Sequence, residues 1–130
     1  MKKVIAAVLA LVLCLSLAAC NSGPSMEEYM QEHQTEYKAM AQSMSTNGVT
    51  MEFSARDDSL VLSARLDMAV DESVRVAAAA VMDVSLEDSK QDYLSILDAV
   101  REAVPSAKSI IVEFYDKNET MIVSKEFFAE

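Results

Sequence analysis

Two stretches of this chain alternate apolar and polar side chains around a polar turn, and they repeat each other. Val49 to Ala55 and Ser59 to Leu66 flank Arg56-Asp57-Asp58, while Ser109 to Tyr115 and Thr120 to Phe127 flank Asp116-Lys117-Asn118-Glu119. They align without a gap at an offset of 61 residues: Glu52-Phe53 on Glu113-Phe114, Leu60-Val61-Leu62 on Met121-Ile122-Val123, Ser63 on Ser124. Successive side chains leave a strand on opposite faces, so this alternation predicts two β-hairpins in an internal repeat. Parity sends Met51, Phe53, Leu62, Val112, Phe114, Met121 and Phe127 inward, and Glu52, Ser54, Arg65, Glu113, Tyr115 and Glu126 outward. The sheet therefore has one wet face.

A helix precedes each hairpin. Ser25-Met26-Glu27-Glu28, behind Pro24, reads as a capping box. The helix it opens should run to about Ser45 and stop at Asn47-Gly48, which suit a left-handed end. Met26, Met30, His33, Tyr37, Met40 and Met44 share one of its faces. Asp71 to Val104 contains no Gly or Pro and repeats apolar residues at helical spacing. As one rod it would measure ~50 Å against ~23 Å for a seven-residue strand. Either it breaks near Ser85-Leu86-Glu87-Asp88, a second capping-box sequence, or one long, kinked helix overhangs the sheet. The latter is favoured, with Ala77-Ala78-Ala79-Ala80 allowing a close neighbour; small residues within a monomer core are the first explanation of that patch and self-association the second. The fold class is α+β: helix-strand-strand-helix-strand-strand, with a four-stranded, mainly antiparallel sheet and helices packed on one face.

The N-terminus assigns a location. Met1-Lys2-Lys3 is a positive n-region, Val4 to Leu17 an apolar h-region too short to span a bilayer, and Ala18-Ala19 a small-residue cut site. Leu17-Ala18-Ala19-Cys20 matches the bacterial lipobox, which implies removal of residues 1–19 and a diacylglycerol on the Cys20 sulfur. Residues 20–24 are then the lipidated cysteine and a short linker, and residues 25–130 a single α+β domain. Asn21-Ser22-Gly23-Pro24 reaches only ~14 Å extended, so the domain is expected close to the outer face of the cell membrane. Cleavage removes two lysines and no acid, moving the net charge from −10 to −12. That charge argues against nucleic-acid partners and favours a cationic one. Cys20, its sulfur consumed by lipid, would be the only cysteine left, so packing must hold the domain together.

The Ser25-Met26-Glu27-Glu28-Tyr29 opening, the Val49-Thr50-Met51-Glu52-Phe53 strand, the long helix with Tyr93, and the Ile111-Val112-Glu113-Phe114-Tyr115-Asp116 to Ser124-Lys125-Glu126-Phe127 ending resemble a family of small Gram-positive lipoproteins known only as a domain of unknown function. The resemblance covers residues 25 to 128 and implies no active site. It departs at the last turn, where Lys117-Asn118 replaces the usual glycine, Asn being tolerant of the left-handed conformation.

No catalytic constellation stands out. There is one histidine, no elbow glycines beside any serine, and two glycines in the whole chain. Glu52 and Glu113, equivalent in the repeat, outline an acid-base pair, though acids on an exposed sheet ordinarily keep it soluble. Met30, His33 and Met40 form a soft-ligand set suited to copper(I), yet methionine at core spacing ordinarily packs, and no metal is assigned. Beyond the covalent diacylglycerol on Cys20, no cofactor is expected. The preferred reading is a membrane-anchored extracytoplasmic lipoprotein without enzymatic activity, presenting a sheet face or strand edge to a protein, an exported peptide or a wall component. Tyr115, Ile111, Ile122 and Val61 are the candidate contact face, an aromatic among aliphatics on a wet surface. A metal handler or a small acid-base hydrolase is the alternative.

Overall fold

A computed structural model describes residues 24–129. In chain order it holds α1 (Met26–Glu32), α2 (Gln34–Met44), β1 (Val49–Arg56), β2 (Ser59–Leu66), α3 (Glu72–Asp88), α4 (Lys90–Ala103), β3 (Ser109–Tyr115) and β4 (Met121–Phe128). Residues 1–19, expected to be a signal sequence, Cys20 with its expected lipid, and residues 21–23 lie outside the described residues. The class is α+β, and the sheet is mixed but mostly antiparallel. Its order is β1-β2-β3-β4, antiparallel within each hairpin and parallel where β2 meets β3. A parallel join needs a long crossover, which α3 and α4 supply.

Register rows define the inner face: Phe53, Leu62 and Val112 lie side by side, as do Ala55, Leu60, Ile110 and Phe127. They pack with Met26, Tyr29, Tyr37, Leu97 and Val100 into one core. Full burial of each large apolar side chain is worth about 1.5–3 kcal/mol. Lys125 occupies the same inner row as Val112. It stays charged there because its Nζ reaches Asp83 at 3.0 Å and Glu87 at 3.1 Å, both on α3.

Both helical runs differ from expectation. The first breaks at His33 (φ −113°, ψ 23°) instead of running unbroken to Ser45. The second breaks at Ser89 (φ −96°, ψ 10°), so the long continuous helix is not observed, and residues 85–88 form the last turn of α3 instead of a new start. The Ser89 break lets α4 lay Leu94, Leu97 and Val100 on the core while α3 packs along β4. At the head of α1 the Ser25 hydroxyl accepts the Glu28 N–H at 3.2 Å, as the capping sequence predicts. Gly48 (φ +86°) serves the Thr46–Val49 turn and not the helix end, because Ser45 closes α2 by donating its hydroxyl to the Ala41 carbonyl at 2.9 Å.

The second hairpin carries a bulge. Phe114 pairs with Val123 but Tyr115 with Met121, leaving Ile122 as the extra residue. Two parity assignments reverse as a result. Met121, expected inside, shares the Tyr115 side and is exposed, while Ile122, expected outside, is buried. In the following turn Glu119 (φ 65°), not Asn118, takes the left-handed conformation. The cause is Asp116, whose Oδ1 accepts the N–H groups of Asn118 at 2.9 Å and Thr120 at 3.0 Å. Those bonds, Thr120 first, hold its carboxyl below the usual aspartate range.

Candidate functional site

The outer sheet face is a polar network. Arg56 at the end of β1 donates two bonds across β2 to Glu113 on β3, at 3.0 and 3.1 Å. Tyr115 donates to the same carboxylate at 3.0 Å. Beside it the Ser59 and Ser109 hydroxyls lie 2.6 Å apart, and Ser109 donates to Glu126. The row Ser54, Val61, Ile111 falls between the Arg56 and Glu113 rows, so the ion pair spans the strand above Val61. Val61 and Ile122 are buried, at 1% and 7% exposure, and Ile111 and Tyr115 are half-buried. These four therefore do not form the exposed apolar patch expected of them: the arginine crosses one, and the bulge withdraws another.

Glu52 and Glu113 share a register row with Ser63 between them, about 10 Å apart at the usual strand spacing. The bidentate Arg56 bond, opposed by burial and aided by Tyr115, lowers the Glu113 pKa below its ordinary 4.5. A carboxylate held ionised this way is a poor proton donor. The same bond links stability to pH. Because the folded pKa is depressed, the pair stabilises the domain above the unfolded value near 4.5 and loses that contribution as pH falls through the folded one. Arg56→Ala is expected to cost about 1 kcal/mol near neutral pH, the upper end for a pair whose arginine is half exposed. Urea unfolding should show that difference shrinking as pH falls from 4.5 through the depressed folded-state pKa.

Met30, His33 and Met40 are all buried. Among the described residues neither His33 ring nitrogen has a hydrogen-bond partner, and the ring lies 4.7 Å from that of Tyr29. No group of three or more His, Cys, Asp or Glu among the described residues could hold a metal ion. The soft-ligand set thus lies within the aromatic and methionine packing that joins α1 to α2.

A groove of about 640 Å³ lies between α1–α2 and the open side of β1. Glu27, Met30, Gln31, Gln34, Lys38 and Gln42 wall it on the helix side, and residues 50–55 of β1 form the other wall. Tyr37 lies beneath, edge-on to Phe53 with ring centroids 5.5 Å apart. The open edge of β1 is only partly used. Val49 exchanges both of its edge bonds with Thr46, at 3.0 and 3.2 Å, and the Met51 N–H donates to the Ser45 hydroxyl at 3.0 Å. Alternate residues of an antiparallel strand direct both backbone groups to the same side. The Met51 carbonyl and both backbone groups of Phe53 and Ala55 therefore point into the groove, with no partner among the described residues. No pattern in the sequence marks this groove, because its two walls come from separate elements. Elsewhere, α3 exposes Val74, Val81 and Val84.

A family model described as a domain of unknown function (DUF4854) matches residues 26–127. No curated protein and no solved structure is a match.

Proposed function

The chain belongs to the DUF4854 family of domains of unknown function, and from that premise we propose that it is a small Gram-positive lipoprotein, an extracytoplasmic binding module without catalytic activity of its own. Residues 1–19 direct export, and Cys20 carries the diacylglycerol that holds the domain at the membrane. The observation that carries the binding role is the groove, where five backbone hydrogen-bonding groups on the open edge of β1 have no partner among the described residues. Such groups are costly to leave unpaired once water is displaced, so this edge favours a guest that pairs with them. The tether reading supports the same site, since Glu27 and Met30 of its wall follow the short linker almost directly. Partners close to the membrane come within reach there.

Two measurements in one experiment test this. Cell fractionation should find the wild type in the membrane fraction and Cys20→Ala released from it. A photo-crosslinker placed at Gln34 of the anchored protein should capture one dominant partner, whereas the same probe at Glu102, away from the groove, should not. A Cys20→Ala protein that stays bound to membrane sinks the lipid anchor. Equal capture from both positions sinks the groove. A species of twice the chain's mass that disappears in Val81→Lys would instead identify self-association through the exposed α3 valines.

A further inference from the structure

Taking the binding-module reading as given, we infer that the occupant of the groove is an extended, cationic polypeptide segment of another protein, which adds to the sheet as a fifth strand beside β1. The backbone chemistry selects the class. Phe53 and Ala55 each offer one N–H and one C=O to the groove, and Met51 offers a C=O. That alternation of donors and acceptors along a strand edge is matched by the backbone of another strand. Residues 50–55 span about 20 Å, which sets the guest at five or six residues.

The side chains set its pattern. Guest residues facing the helices would lie among Met30, Met51, Phe53 and Ala55, which favours apolar groups of moderate size. Those facing the outer side would lie beside Thr50, Glu52 and Ser54. Glu27 and Glu52 outnumber Lys38 around the groove, and the whole chain is at −10, so positive charge on the guest is favoured. A guest alternating apolar and basic residues satisfies both walls.

The two sheet edges differ in a way that supports this assignment. β4, the opposite edge, is interrupted by the bulge at Ile122 and turns the charged Lys125 inward, where it meets Asp83 of α3. Bulges and inward-pointing charges are among the usual means of blocking unwanted strand addition. β1 has an unbroken register over all eight residues and contains neither lysine nor proline. The bulge and the inward lysine guard β4, and β1 has neither.

The test uses the full lipidated protein in detergent micelles and a blocked hexapeptide alternating lysine and valine. Binding should slow amide exchange at Phe53 and Ala55 at least tenfold. Methylating the guest backbone nitrogens at alternate positions should abolish binding in one of the two phases and leave it in the other, since only alternate groups face the strand. Replacing lysine by glutamate in the guest should weaken it tenfold or more. Ala55→Pro removes an edge N–H that the β1–β2 ladder does not use, so it should abolish binding. Because the methylated guest acts on the unaltered protein, the inference stays testable if Ala55→Pro fails to fold. It is overturned if the guest does not bind, if methylation has no effect in both phases, or if Phe53 and Ala55 are already protected in a dimer. Loss of the peptide effect with retained capture at Gln34 would leave a binding module without strand addition; loss of both would remove the module as well.

Discussion

Tyr37→Ala is expected to cost about 4–6 kcal/mol, and Tyr37→Phe about 1–3 kcal/mol, in urea unfolding at neutral pH. Tyr37 is 1% exposed and joins three elements. Its ring meets Tyr29 of α1 at 5.7 Å and Phe53 of β1 at 5.5 Å, both edge-on, while its hydroxyl lies 2.9 Å from that of Tyr29. Alanine removes the ring, opens a cavity and orphans the Tyr29 hydroxyl. Phenylalanine does only the last. Domains of this size have total stabilities of about 5–15 kcal/mol, so the alanine variant approaches complete unfolding. A difference between the two variants below about 1 kcal/mol would mean that the ring contributes little. Burial also holds both phenols above their ordinary pKa of 10.0. Their contribution is whole below the unfolded value of 10.0 and declines as pH rises from there towards the folded-state values.

Leu86→Ala is expected to cost about 2–4 kcal/mol, and the loss should be local. α3 is 17 residues long, yet Leu86 is its one buried residue, at 2% exposure. Apart from that anchor, the Lys125 bonds to Asp83 and Glu87 hold α3 to β4. Without Leu86 the helix should open as a unit while the sheet and α4, which buries six residues, stay closed. Amide exchange resolved along the chain reads this directly: residues 72–88 should lose protection and residues 94–103 keep it. Uniform loss across both helices would show that α3 is integral to one cooperative core.

Strand parity made much of the fold legible. Phe53, Leu62, Val112 and Phe127 fall inside as alternation requires, and the capping sequence at Ser25 places the start of α1. Lys125 has the inner parity of Val123 and Phe127, but its charge argues for the outside unless acids wait to meet it. Those acids come from α3, some forty residues earlier. The bulge at Ile122 leaves no mark in the sequence, because residues 120–127 alternate in the same way with or without an extra residue in the pairing; only the turn organised by Asp116 fixes it. Two members of the expected contact face are withdrawn from the surface, Ile122 by that bulge and Val61 beneath the strand-spanning Arg56–Glu113 pair. The breaks at His33 and Ser89 have no Gly or Pro to announce them, being imposed by the core that each helix must reach.

Periodicity, capping and turn chemistry act between neighbours in the chain, and they are enough to set the class, the two hairpins, the inner faces of their strands up to the bulge at Ile122, and the helical stretches without their breaks. The parallel meeting of β2 and β3, the Arg56–Glu113 bridge and the groove along β1 came only with the folded arrangement. Each joins groups distant in sequence, and packing alone sets the register and spacing that bring them together.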